Sequence, residues 1–129
     1  MKPQFAECLP PNWEKFACFF SALGDSYRQK ILLTFDPGEE ICVNDIARLF
    51  KLSRPAISHH LKVLKDAGLV VCEKRGKEVY YRINYEYCAG VIEHVRDFIT
   101  KSTPSPQSTM AIANSADYSI AGDVSLQAK

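Results

Sequence analysis

Several short segments carry side chains able to do chemistry. Cys42 and Asp45 stand three residues apart in ICVND, a thiol and a carboxylate one helical turn from each other. Eleven residues separate the start of that segment from SRPAISHHLK, which holds Arg54, Pro55, Ser58, His59, His60 and Lys62. Arg54 can pair bidentately with a guanine edge, and Ser58 can donate or accept a hydrogen bond. Pro55 offers an apolar ring edge, suited to a thymine methyl, and Lys62 suits a phosphate. Further on, KRGK places Arg75 and Lys77 on either side of Gly76. Adjacent helical residues diverge by about 100°, so His59 and His60 cannot chelate one ion together. His59 falls on the side of Ser58 and Lys62. His60 falls beside Leu61 and is expected to make a hydrogen bond inside the protein.

The charge pattern agrees with a phosphate-binding role. The 129-residue chain has a net charge of only +1. Between Arg48 and Arg82, however, nine basic residues face three acidic ones, a local +6 that leaves −5 elsewhere. A basic middle in a balanced chain is the electrostatic footprint of a nucleic-acid surface. A solvated charged face is the plainer alternative. No acid/base pair, nucleophile triad or phosphate loop points to an enzyme. The sequence has no apolar run long enough to span a bilayer, and its first residues lack the apolar stretch of a signal peptide, so a cytoplasmic location is expected. The five cysteines (Cys8, Cys18, Cys42, Cys72, Cys88) are then free thiols, with no CxxC pair to suggest a zinc finger.

Helices and a hairpin must position these groups. Two prolines precede Trp13, Phe16, Phe20 and Leu23, whose spacing predicts a first helix over about 12–23. Asp25 caps a second helix with Ile31, Leu32 and Phe35 on one face, and Pro37-Gly38 stops it. VNDIARLFKL reads as a third helix capped by Asn44, with Ile46, Leu49 and Phe50 inward. In the fourth, Ser53 caps, Pro55 sits in the first turn, Ile57, Leu61 and Leu64 form the buried stripe, and Gly68 ends the helix. Two helices joined by about three residues make a helix-turn-helix. LVVCEKRGKEVYYRI reads as a two-stranded hairpin with a basic tip, and EYCAGVIEHVRDFITK as a last helix.

The expected fold is mainly α with a small β-hairpin, a winged helix-turn-helix of order α-α-α-α-β-β-α. Residues 1–11 form an N-terminal arm, 12–101 the DNA-binding and dimerisation domain, and 102–129, rich in Ser, Ala and Pro, a flexible tail. The first and last helices carry more apolar surface than a small helical core needs. Trp13, Phe16, Phe19, Phe20, Ile92, Val95, Phe98 and Ile99 are therefore candidates for a homodimer interface.

Three segments in order resemble the ArsR/SmtB-type winged-helix repressors of bacteria: FFSALGDSYRQKILLTF, ICVNDIARLFKLSRPAISHHLKVLKDAGLV and KRGKEVYYRI. The resemblance runs from about Phe16 to Ile99. It implies a homodimer bound to a double-stranded DNA operator near its own promoter and released by an inducer, often a metal or metalloid ion. It places Arg54, Pro55, Ser58, His59 and Lys62 on the reading helix, with Arg75 and Lys77 at the wing, against the minor groove or backbone. The family more often has Gln and Ser where this chain has Arg54 and Pro55, which implies a different base preference.

For the sensor, the three-thiolate arsenic pattern is missing, because Asn44 and Ala47 stand where it needs cysteines. Cys42 with Asp45 matches the family's zinc, cadmium or lead type, with Cys8 and Cys18 as further ligands from the partner's arm region. Such thiolates suit Zn, Cd, Pb or As(III). The family's site on the last helix is absent, since Tyr85, Tyr87, Phe98 and Lys101 occupy its positions. The plainer reading makes Cys18 a packed hydrophobe and leaves Cys72 without chemistry. Cys88, near a helix N-terminus, could have a lowered pKa and act with Cys42 as a redox pair. A repressor with no metal ion, tuned by oxidation or an organic ligand, is the remaining alternative.

Overall fold

The structure, a computed structural model, describes residues 1–102. After a short 3-10 turn at Pro3–Ala6, the chain forms α1 (Pro11–Leu23), α2 (Ser26–Leu33), β1 (Ile41–Cys42), α3 (Val43–Phe50), α4 (Arg54–Asp66), β2 (Val70–Arg75), β3 (Glu78–Ile83) and α5 (Tyr85–Ser102). The helix-turn-helix and wing stand where the periodicity placed them, on a winged helix-turn-helix frame. Two units are distinguished, Met1–Val91 and Ile92–Lys129. The first holds the core and all elements up to the start of α5. In the second, α5 runs on to Ser102, with Arg96 and Glu93 paired at 3.8 Å on one of its faces. The expected tail lies outside the described residues apart from Ser102 itself, which closes α5.

Local chemistry sets most of the boundaries. Pro11 starts α1 at a position whose N–H has no helical partner to lose. The Asp25 carboxylate accepts from the Arg28 N–H at 3.1 Å and caps α2. Ser53 Oγ accepts from the Ala56 N–H at 3.3 Å and caps α4, with Pro55 in the first turn. α4 ends in a Schellman motif. Gly68 takes φ +91, its N–H donates to Lys65 O at 3.0 Å, and the Leu69 N–H donates to Leu64 O at 3.0 Å. Asn84 Oδ1 accepts from the Tyr87 N–H at 3.3 Å and starts α5.

Three local expectations change. The residue before α3 is Cys42, not Asn44, because the backbone is still extended at Cys42 and helical from Val43. Asn44 lies within the first turn, its side chain bonded elsewhere. Leu49 points to solvent at 62 % exposure, since the buried arc of α3 is Val43, Ile46 and Ala47. The wing is also more than a hairpin. β1 adds to β3, giving a three-stranded antiparallel sheet of order β1-β3-β2, with Ile41 opposite Tyr81 and Cys42 opposite Tyr80. Two residues are too few for a periodic signal, so pattern reading could not find that strand.

The core of the first unit lies between the helices and one face of the sheet. Phe16, Phe19 and Ala22 of α1 meet Ile31, Val43, Ile46, Ile57, Leu61, Leu64, Leu69, Val70 and Val91, all buried. Phe16 and Phe19, expected at a dimer interface, are 7 % and 2 % exposed in the chain's own core. Burying such a ring stabilises the fold by about 1.5–3 kcal/mol, so the core competes successfully for them. Phe20, the next residue round the helix, is 38 % exposed.

Candidate nucleic-acid interface and thiol site

α4 presents two faces. Ile57, Leu61 and Leu64 are fully buried. Arg54, Pro55, His59 and Lys62 are exposed, and Ser58 is half-buried between the two faces. A helix anchored on one side by an apolar stripe, with a cation, a hydroxyl and an imidazole free on the other, can present all of them to one surface. Lys62 Nζ is held by Asp66 at 2.9 Å one turn on, an exposed pair that yields readily to a competing anion.

His60 turns inward, away from His59, as the helical angle requires. Its ring stacks on Tyr27 with centroids 5.7 Å apart and planes 4° from parallel. Its Nδ1 lies 3.4 Å from Arg28 Nη1 and 3.8 Å from Asp25 Oδ2. Arg28 also donates from Nε to Ala22 O at 2.7 Å. The α1–α2 junction is thereby fastened to the middle of α4. Sequence reading found Asp25 as a cap and His60 as an internal hydrogen-bonder but did not join them. The signal was available only as an Asp and an Arg three apart.

At the wing, Gly76 supplies the positive φ of +64 that a two-residue turn of this kind needs at its first position. Lys77 is exposed. Arg75 is not free. Its Nη2 donates to Glu40 at 3.0 and 2.8 Å and to Glu73 at 3.3 Å, and its guanidinium lies over the Tyr80 ring at 5.0 Å. The two carboxylates raise the Arg75 pKa further above its ordinary value, while Arg75 holds the Glu73 carboxyl below the usual range. On the other side of the tip, Asn44 Nδ2 donates to both oxygens of Glu78 at 3.3 Å.

Cys42 is buried, at 7 % exposure. Burial pushes its thiol up, opposed by the Asp45 backbone N–H, and the Asp45 and Glu78 carboxylates raise it further. Asp45 itself is exposed and paired with Arg48 at 2.9 Å. Cys8 and Cys18 are both exposed, so Cys18 is not the packed hydrophobe its apolar neighbours suggested. It lines an open groove of about 450 Å³ between α1 and α4 with Ser21, Val63 and Asp66. Cys88 departs from expectation too. Its pKa is raised, because burial outweighs the hydrogen bond from its own backbone N–H, and its Sγ donates to Leu69 O at 3.8 Å. Among the described residues no three of His, Cys, Asp and Glu gather into a set able to hold a metal ion. One chain therefore brings Cys42 and Asp45 within a turn of each other but does not add Cys8 or Cys18 to them. No helix among the described residues is long and apolar enough to cross a membrane.

Comparison with known proteins points the same way. Residues 25–71 match the model of the bacterial regulatory proteins of the arsR family. The transcriptional repressor SdpR of Bacillus subtilis (strain 168) is 37% identical over 82 residues, which span 64% of this chain and 90% of that protein. A homolog of the cadmium resistance regulator CadC from Staphylococcus aureus is 38% identical over 74 residues, 57% of this chain and 61% of its own length. Among solved structures, a homodimeric winged helix-turn-helix DNA-binding domain from Mycobacterium bovis superposes with a TM-score of 0.56 at 29% identity, over 70% of this chain and 82% of that one. These relatives are transcriptional regulators and DNA-binding domains, not enzymes. The chain, whose family match runs from α2 through α4 to the start of β2, belongs to the ArsR family of bacterial regulatory proteins.

Proposed function

We propose that the chain is a transcriptional repressor that binds double-stranded operator DNA as a homodimer and is released by a thiol-binding metal or metalloid ion. The observation that carries the reading is the two-faced α4. Its buried stripe fixes the helix, and Arg54, Pro55, Ser58, His59 and Lys62 form the opposite surface. The N-terminal half of such a helix enters the major groove and meets base edges. Arg54 reads guanine through a bidentate pair, Ser58 and His59 make further base-edge contacts, and Pro55 packs on a thymine methyl. Lys62, and Lys77 at the wing, take phosphates. Arg75 reaches a phosphate once its carboxylate partners let go.

The sensing half is built on Cys42 and Asp45, a thiolate and a carboxylate suited to Zn, Cd, Pb or As(III). Two ligands do not complete a site, and a second copy supplies the rest from the exposed thiols Cys8 and Cys18. Support comes from the placement of Cys42 at the head of α3 and from the cadmium resistance named for one relative. The thiol-redox alternative, Cys42 with Cys88, is disfavoured, because burial raises both thiols above their ordinary value and an oxidant attacks the thiolate, whereas a binding metal ion displaces the thiol proton itself.

The test is operator release, followed on a fragment of the chain's own promoter, by Zn, Cd, Pb, As(III) and peroxide. Wild type, Cys42→Ser, Cys8→Ser and Cys88→Ser are compared. One of the ions is expected to release wild type, with the response lost in Cys42→Ser, weakened in Cys8→Ser and kept in Cys88→Ser. Release by peroxide alone would sink the metal reading. Operator affinity that did not fall steeply with added salt would sink the DNA reading.

A further inference from the structure

We propose that Glu40 is an intramolecular counterion of the wing, occupying the Arg75 guanidinium in the place of a DNA phosphate and thereby restraining DNA affinity. The inference rests on the reading of the wing as a phosphate-contacting element.

Both oxygens of Glu40 lie within hydrogen-bond distance of Arg75 Nη2, at 3.0 and 2.8 Å, and Glu73 adds Nη2 and Nε contacts at 3.3 Å. Arg75 and Glu73 are neighbours on one strand, two residues apart. Glu40 comes from thirty-five positions away, and β1 fixes its backbone, since Ile41 and Cys42 pair with Tyr81 and Tyr80 of β3. Tyr80 in turn lies beneath the guanidinium at 5.0 Å. Arg75 is thus gripped from two sides and stacked from a third: Glu73 spans Nε and Nη2, and Glu40 caps Nη2 with both oxygens at the shorter distances, as a phosphate oxygen would. A phosphate must displace Glu40 to take Nη2. Among the described residues, Lys77 across the turn has no such carboxylate pair around it, so the restraint falls on Arg75 and not on Lys77.

Phosphate contacts carry no sequence information, so the test needs no operator. Binding of a labelled duplex of mixed sequence is followed by fluorescence anisotropy over a salt series. Wild type is compared with Glu40→Gln, Arg75→Gln and the double variant. Glu40→Gln is expected to bind about threefold to tenfold more tightly at low salt, with a log–log salt slope steeper by up to about 0.9 per wing. Arg75→Gln alone changes little, and in the double variant the gain from Glu40→Gln disappears. A thermal melt of each variant separates this from a folding effect. The proposal is overturned if Glu40→Gln binds like wild type or more weakly, or if its gain survives the loss of Arg75. If wild type itself shows no salt-dependent binding, the reading of the chain as a DNA-binding protein fails instead.

Discussion

Thiol chemistry is decided residue by residue, by burial more than by position along a helix. Cys42 and Cys88 both sit at helix starts, where a partial positive charge favours thiolate, yet both are shifted upward. For Cys42 the largest cause is desolvation, joined by the Asp45 and Glu78 carboxylates. For Cys88 it is desolvation alone that raises it. Cys8 and Cys18 are exposed. Iodoacetamide at neutral pH is therefore expected to modify Cys8 and Cys18 first and Cys42 and Cys88 last, as read by peptide mass spectrometry. The same shifts fix a pH dependence. A thiol whose folded pKa lies above its unfolded value stabilises the fold fully below the unfolded value of 9.0. That contribution is lost as pH rises through the folded value, because the unfolded chain ionises first. Stability should fall in alkali from pH 9.0 up through the folded values, and less so in Cys42→Ser and Cys88→Ser. Fast labelling of Cys42 in the folded protein would contradict the burial argument.

At the scale of elements, α4, the helix proposed to read DNA, is defined by its ends. Ser53 and Pro55 start it, and Gly68 stops it at a backbone angle that side chains avoid. A Cβ at position 68 would also lie 2.5 Å from Tyr87 Cε2, so the start of α5 closes the space. Gly68→Ala is expected to cost about 1–3 kcal/mol from left-handed strain and ring displacement together. Thermal unfolding would show a drop of several degrees, and an unchanged melting point would mean the turn relaxes freely. These ends were legible in the sequence, because caps, prolines and glycines act within four residues of where they stand. So was the buried stripe of α4, through its period. Less legible were features made by distant partners. Glu40 with Arg75, Asn44 with Glu78 and Arg28 with His60 are separated by thirty-two to thirty-five positions. Nothing local marks Glu40 as a partner of the wing. The inward placement of Leu49 failed for a related reason: α3 is eight residues long, and its arc was drawn one step too far round.

For the whole molecule, the question is how a chain of net charge +1 could grip a polyanion. It concentrates its cations in residues 48–82 and leaves the rest acidic, and the fold puts those cations on the end of α3, on α4 and on the wing. One such surface contacts few phosphates, and two copies set about one helical turn of DNA apart double the number in register. Dimerisation is then part of DNA binding, and in the proposed sensor, where a second copy's thiols complete the Cys42 site, it is part of sensing too. The apolar residues expected to join the copies divide in the structure. Phe16 and Phe19 serve the chain's own core, whereas Phe20 stays 38 % exposed, edge-on to Phe19 at 5.3 Å. Phe20→Asp is therefore expected to leave the core and the melting cooperativity intact while placing a charge where an apolar contact between copies would form. Sedimentation equilibrium should move from dimer to monomer at micromolar concentration. Operator affinity should fall at least tenfold, about 1.4 kcal/mol or more, and become dependent on protein concentration. The response to the releasing ion should fall with it. A variant that sediments as a dimer would place the interface elsewhere than on α1.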